Sequence, residues 1–459
     1  MNPIGEISPS NLIYDWNAMG ETFAPPPYRV QFDDETLRDG LQSPSVRTPT
    51  IQEKIQLLHL MDELGIDTVD LGLPGAGAAH VEHITALARE IRDQHLRIQA
   101  NCACRTLVAD VEPLVKICDS LGMPIEACTF IGSSPIRQLV EEWSLDKMLR
   151  ILKESIKFAV KHNLPVMFVT EDTTRADPET LRKLYTVAIE SGAKRICFSD
   201  TVGHATPIGV KNLMEFAKGL VRDLHADVGI DYHGHGDRGL GTINALAAAS
   251  AGATRVHGCA LGIGERCGNS AMDQILVNMR LLGWIDNDLH KLQDYCQVAS
   301  RVTDTPMPVN YPVCGADAFR TQAGVHAAAV IKAFKRGEDW LANRVYSGVP
   351  ADLFGLKQQI EIGPMSGENN VRFWLEQRNI EPTDAVVKAI LNDAKDAAHL
   401  DRIGSERGYR NHEHTWIPDA RRHGSRHDDG AEIDRRARGT GTRRGWADRN
   451  GEDGPCNGQ

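Results

Sequence analysis

The chain runs to 459 residues, 41% of them hydrophobic, enough for one large domain and a smaller appendage around a substantial core. Its formal net charge of −11 argues against nucleic acid as a partner, because phosphate binding needs a basic face, although a few local arginines can still hold a small anion. No apolar run reaches the length of a membrane span, and the opening stretch MNPIGEISPSNLIYDWN lacks the basic-then-apolar order of a secretory signal, so a cytoplasmic protein without a membrane partner is expected.

The ten cysteines are irregularly spaced and form no CxxC pair, which fits reduced and mostly buried thiols. Residues 1–27 read as an N-terminal extension. From Tyr28 onward, short apolar runs alternate with longer amphipathic stretches. Strands are expected at 28–32, 67–72, 97–102, 124–130, 165–170, 195–200, 229–235 and 255–258. Helical segments such as 51–65 and 111–122 end on Gly65 and Gly122, and Pro178 stands where a first helical turn tolerates it. Eight strand–helix repeats over about 230 residues predict an α/β fold, a (β/α)8 TIM barrel over 28–285. An open doubly wound sheet is the alternative, weakened by the absence of a GxGxxG after the first strand. Residues 286–400 read as a helical C-terminal subdomain, with a Pro-rich joint at 305–312. From 401 to 459 the chain turns charged, Gly-rich and nearly free of aliphatic residues. A disordered polar tail is expected there, since little apolar surface is available to offset ordering entropy.

Barrel enzymes carry their chemistry at the C-terminal ends of the strands. Polar motifs stand at three such places: FDDETLRDGLQ, YHGHGDRGLG and GCALGIGERCGN after the first, seventh and eighth strands. His233 and His235 are two apart on a strand and point to one side, so both imidazoles can converge on a metal ion or pair with carboxylates or water. Closure of the barrel sets strand one beside strand eight and strand eight beside seven. That brings Asp39 toward the histidines and completes an O/N set suited to a divalent ion such as Mg2+, Mn2+, Co2+ or Zn2+. Other residues read two ways. Arg105 could bind a carboxylate or pair with Asp110, and Arg137 could hold an acidic group or be a solvated helix-start residue. Glu171 and Arg175 could bridge at a helix start, His326 could cap a helix, and Asn269 could be a turn residue.

RDGLQ at 38–42, DTVGHATP at 200–207, HGHGDRGL at 233–240, GIGERCGN at 262–269 and AGVH at 323–326 occur in the order found in the isopropylmalate and homocitrate synthases. Over residues 28–370 the chain resembles that family, part of the DRE-TIM metallolyase superfamily. The resemblance implies an acyltransferase that condenses acetyl-CoA, its co-substrate, with a 2-oxo acid and hydrolyses the thioester to a 2-substituted malate. It also implies a divalent metal ion and a homodimer. Asp39, His233 and His235 resemble the metal ligands, with Asn269 as a further or water-mediated one. Arg38 resembles the arginine that polarises the 2-oxo group, with Gln42 beside it. Glu171 and Thr201 resemble contacts to the oxo acid. His326 resembles the acid/base histidine, which often reaches into a neighbouring subunit's barrel, and Tyr346 belongs to the same region.

The chain departs from the family's usual pattern at Gly236, at Cys128 and Thr129, at Val169 and at Thr321. These positions touch the acceptor pocket rather than the metal core. A branched apolar acceptor, 2-oxoisovalerate, is the first expectation. An acidic one (oxaloacetate, 2-oxoglutarate, or a phosphono- or phosphinopyruvate) is the second, its extra anionic group bound by Arg105 and Arg137. A hydroxymethylglutaryl-CoA lyase is a further alternative, but its loop cysteine stands well before the glycine–asparagine pair, whereas Cys267 is two residues before Asn269. The polar tail cannot form the regulatory domain of leucine-pathway synthases, so leucine feedback through such a domain is not expected.

Overall fold

The computed structural model describes residues 12–19 and 23–404. Eight parallel strands close into a barrel in chain order: β1 (Gln31–Asp34), β2 (Thr68–Asp70), β3 (Gln99–Arg105), β4 (Glu126–Gly132), β5 (Val166–Glu171), β6 (Arg195–Asp200), β7 (Gly229–Gly234) and β8 (Arg255–Gly258). Helices separate them, so the expected (β/α)8 barrel is present. The open-sheet alternative falls because β1 pairs with β8, from Gln31 opposite Arg255 to Asp34 opposite Gly258.

The helices begin where the sequence offers caps. Thr50 and Glu53 form a capping box at the start of Ile51–Glu63, and Asp177 and Thr206 cap helices that open on Pro178 and Pro207. Alternation along each strand then separates two environments. Phe32, Val69, Phe168, Phe198, Tyr232 and Val256 are fully buried with the inward faces of the helices, among them Leu57, Leu114, Leu184 and Met214. The residues between them face the lumen, and many are polar.

That polar lumen explains why the first strand was expected at 28–32 but lies at Gln31–Asp34. Asp33 and Asp34 look like loop residues until the barrel partners them. Asp33 Oδ1 accepts from Thr68 Oγ1 at 2.5 Å and from Asn101 Nδ2 at 2.6 Å. Lower in the lumen, Arg255 donates to Asp231 at 2.5 Å and to Glu126 at 2.8 Å, and Arg195 adds a second guanidinium to Asp231 at 2.7 Å.

The barrel body continues past the expected boundary at 285. The helix Leu292–Thr303 packs against Ile51–Glu63 and adds Leu292, Tyr295 and Val302 to the same core. Its Tyr295 hydroxyl donates to Asp34 at the end of β1 and lies 3.4 Å from Thr36 Oγ1. Thr36 in turn accepts from the Ala260 backbone N–H at 2.8 Å. This helix therefore braces the loop that carries Arg38 and Asp39.

The C-terminal subdomain includes helices Gly324–Lys335, Glu368–Glu376 and Asp384–Gly404, with small cores of its own around Val330 and Val387. Where helices alone were expected, Arg320–Thr321 also pairs in parallel with Gln359–Ile360. Strands of two residues offer no periodicity to read. The last helix runs to Gly404, into the segment expected as a tail, and the rest of that segment lies outside the described residues. No helix among the described residues is long and apolar enough to cross a membrane.

The lumen charges make a stability prediction. Removing one member of a buried ion pair leaves the others desolvated and uncompensated, at a cost of about 3–5 kcal/mol. Arg255→Ala strips Asp231 and Glu126 of a shared partner, so urea unfolding should show a loss of about 3 kcal/mol or more; a loss under about 1 kcal/mol would contradict this account of the lumen.

Candidate metal centre and active site

The loop after β1, the end of β7 and the loop after β8 meet at the C-terminal mouth of the barrel. There, His233 Nε2 and His235 Nε2 face each other at 3.2 Å. Asp39 Oδ2 stands 3.6 Å from the first and 3.8 Å from the second. All three side chains are buried. Ligand atoms held about 2.1 Å from one divalent ion lie roughly 3.0–3.5 Å apart, close to this spacing. Burial holds both imidazoles at about 4, below the ordinary histidine value, so they are neutral near pH 7 with lone pairs to offer. Burial pushes the Asp39 carboxyl the other way, but Arg38 and the two histidines outweigh it and hold it well below the usual carboxylate range.

Asn269 completes the group. Its amide donates to Asp39 Oδ1 at 3.1 Å and to the Ile263 carbonyl at 3.0 Å, and its own Oδ1 is buried without a partner. An orphaned acceptor beside an Asp–His–His cluster is what a further ligand, direct or through water, leaves behind. Two glycines let the loop fold that tightly. A Cβ on Gly268 (φ +84) would stand 1.8 Å from the Gly262 carbonyl oxygen, and one on Gly264 (φ +145) would stand 2.3 Å from Asn269 Nδ2. The residues present fit a divalent metal ion.

Arg38 lies against this cluster. Its Nε donates to Asp70 at 2.8 Å and its Nη1 to Asp39 at 3.1 Å, and its Nη2 is ion-paired with Glu35. Burial pushes the Asp70 carboxyl up to about 6 even with Arg38 beside it. Above these groups opens a cavity of ≈ 140 Å³ whose lining brings together Arg38, Asp39, Gln42, Glu171, Thr201, His233 and His235. Thr201 Oγ1 accepts from the Asp172 N–H at 2.8 Å, which fixes the hydroxyl at the end of β6. The wall supplied by β4, β5 and β6 carries an apolar patch of Cys128, Met167, Val169 and Cys197 and turns polar at Glu171 and Ser199, toward the C-terminal ends of β5 and β6.

Other expected site residues lie elsewhere. Arg105 is bound to Asp110 through two bonds of 2.7 and 3.0 Å, on an exposed side chain that does not line the cavity. Of its two readings, the pairing is the one seen. Arg175 grips Asp172, not Glu171, with two 2.7 Å bonds. The partner of Glu171 is Arg137, at 3.7 Å, which also reaches Glu141 at 3.3 Å. Burial raises the Glu171 carboxyl above its ordinary value, against the opposing pull of Arg137. His326 and Tyr346 stack with ring centroids 4.2 Å apart on the exposed surface of the subdomain, and neither lines the cavity. His326 is the third residue of its helix and not its cap.

Sequence reasoning missed Glu35 and His257. Glu35 Oε1 lies 3.0 Å from His233 Nδ1 and 2.7 Å from His257 Nδ1. A signal was available: both residues are two positions past a lumen-facing charge, Asp33 on β1 and Arg255 on β8, so strand alternation points them inward.

If Asp39, His233 and His235 share one ion, Asp39→Ala should weaken Mn2+ binding by more than about 100-fold in calorimetric titration, beyond what loss of a supporting contact causes. Unchanged affinity would remove Asp39 from the centre.

A family model described as HMGL-like matches residues 29–302. A probable 2-isopropylmalate synthase from Methanopyrus kandleri is 31% identical over 373 residues, covering 81% of this chain and 70% of that protein. A homocitrate synthase from the same organism is also 31% identical, covering 80% of this chain and 88% of its own length. A 2-isopropylmalate synthase from Sulfurisphaera tokodaii is 30% identical, with 83% and 94% covered. The crystal structure of hydroxymethylglutaryl-CoA lyase from Pseudomonas aeruginosa superposes with a TM-score of 0.52 at 20% identity, over 61% of this chain and 94% of that one, a likeness of fold alone. With the motifs of the barrel mouth, these matches show that the chain belongs to the HMGL-like family, in the branch of 2-isopropylmalate and homocitrate synthases, and is an enzyme of that kind.

Proposed function

We propose that the protein condenses acetyl-CoA with a 2-oxo acid whose side chain is apolar, as in 2-oxoisovalerate, and releases a 2-substituted malate after thioester hydrolysis. The observation that carries this reading is the division of the cavity. Arg38, the candidate metal ligands and most of the charge lie on the side formed by β1, β2, β7 and β8, and Cys128, Met167, Val169 and Cys197 form an apolar patch on β4 to β6, with Glu171 at the end of β5. A 2-oxo acid placed with its polar end on the first side sets its side chain against the second.

Asp39, His233 and His235, with Asn269 beside them, would hold a divalent ion, which would supply Lewis acidity to the 2-oxo group. Arg38 adds a fixed positive charge there, without a proton to lose. Thr201 and Gln42 offer a hydroxyl and an amide to the acceptor's polar end, and Glu171 faces it from the end of β5. An acidic acceptor is disfavoured because the two arginines it would use are engaged, Arg105 with Asp110 and Arg137 with Glu141 and Glu171.

The stacked pair His326 and Tyr346 stands outside its own chain's cavity. This supports a homodimer in which that pair completes the partner's site, with His326 as the acid/base group. A neutral imidazole can accept a proton near pH 7.

Free-CoA release from acetyl-CoA, measured over a panel of 2-oxo acids with each product identified by mass, tests the reaction. The expected result is a kcat/KM for 2-oxoisovalerate or a similar apolar acceptor at least about tenfold above those for oxaloacetate and 2-oxoglutarate, within the discrimination a hydrophobic pocket supplies. The reverse order would move the enzyme to an acidic acceptor, and no CoA release with any acceptor would refute condensation. For the dimer, His326→Ala should lower kcat by about 10²–10⁴-fold with oxo-acid binding retained. Mixing it with inactive Asp39→Ala subunits should restore activity at one hybrid site. No recovery despite proven subunit exchange would place both residues in one chain's site.

A further inference from the structure

Behind the metal cluster lies a second group of buried side chains that the proposed reaction does not use. Glu35 Oε1 is 3.0 Å from His233 Nδ1 and 2.7 Å from His257 Nδ1, and its Oε2 meets the Arg38 guanidinium at Nη2. His257 is 1% exposed and sets its Nε2 3.0 Å from Asp231 Oδ2. Asp231 is itself held by Arg195 and Arg255. One carboxylate therefore touches a candidate metal ligand with one oxygen and the arginine of the 2-oxo group with the other.

The geometry has two consequences. A carboxylate accepts hydrogen bonds and donates none, so His233 carries its proton on Nδ1 and turns the lone pair of Nε2 toward Asp39 and His235. In addition, Glu35 cannot shift without moving both His233 and Arg38. We propose that Glu35 is a positioning residue that sets the placement of Arg38 relative to the metal ion, and that His257, anchored on Asp231, holds Glu35 in place. The proposal rests on the roles given above to the metal cluster and to Arg38. Glu35, His233 and His257 are also close enough to be weighed as a cation site of their own. Separations of 2.7 and 3.0 Å are hydrogen-bond distances, which favours positioning over an inner ion.

The test uses the whole protein with Mn2+ as the probe. Glu35→Gln keeps the size of the side chain but sets an amide N–H against either Arg38 or the histidines, one donor facing another. In this variant the dissociation constant for Mn2+, read by calorimetry, should rise about 10–100-fold. At saturating Mn2+ its kcat should stay at least about tenfold down, with the KM for the oxo acid changed less, because Arg38 is released from its place. His257→Gln, which does not touch Arg38, should give a smaller loss of Mn2+ affinity of about three- to tenfold. Parent-like affinity and kcat in a folded Glu35→Gln protein overturn the proposal. Should that variant not fold, the affinity of His257→Gln decides, and an unchanged value overturns it. Two Mn2+ ions per parent chain, with one lost in His257→Gln, would overturn it too, by making the trio an inner metal site. A parent protein that binds one Mn2+ but turns over no acceptor counts against the proposed reaction, and the affinity comparison still decides this inference.

Discussion

The pairing of β1 with β8 closes the barrel and sets Glu35 and Asp39 against His233 and His235, with Glu35 and His233 lying 198 residues apart in sequence. Neither half of the centre is a metal site without the other. His233 and His235 form a pair at the end of β7, and the third candidate ligand, Asp39, comes only from across the seam. The supports of the seam are correspondingly specific. Tyr295 reaches in from outside the eight repeats to bind Asp34, and Thr36 ties the loop of β1 to the loop of β8 through Ala260.

Charge then decides what the mouth of the barrel can hold. Glu35, Asp39 and Asp70 surround a single guanidinium, Arg38. Three carboxylates against one cation leave a surplus of negative charge in a buried place, which a divalent ion is suited to offset. The neutral, depressed imidazoles fit the same role, since a protonated histidine could not ligate. The wall formed by β4 to β6 carries an apolar patch and one carboxylate, Glu171, at the end of β5. Burial pushes the thiols of Cys128 and Cys197 well above the ordinary cysteine value, so they pack there as small, uncharged groups.

Much of this was legible in the sequence, for physical reasons that can be named. The spacing of His233 and His235 fixes their common side through the strand period, and eight strand–helix repeats imply the closure that brings Asp39 to them. What stayed hidden depends on partners that spacing does not reveal. Arg105 could bind substrate or Asp110, and only the fold shows it turned to Asp110. Glu171 took Arg137 from another loop in place of the nearby Arg175, which Asp172 captured first. Glu35 was passed over because it stands among acidic neighbours at a strand end, where a carboxylate ordinarily faces water. The barrel turns it inward instead, onto two histidines and an arginine. His326 and Tyr346 belong to a region of motif resemblance but stand outside their own chain's cavity.

The most direct test of the metal centre is anomalous X-ray diffraction from crystals of the protein soaked in Mn2+. One strong peak is predicted, about 2.0–2.3 Å from His233 Nε2, His235 Nε2 and an Asp39 oxygen, with Asn269 Oδ1 or a water at the next position. A peak between Glu35 and His257 instead, or no peak at the barrel mouth in crystals that bind Mn2+ elsewhere, would contradict the account.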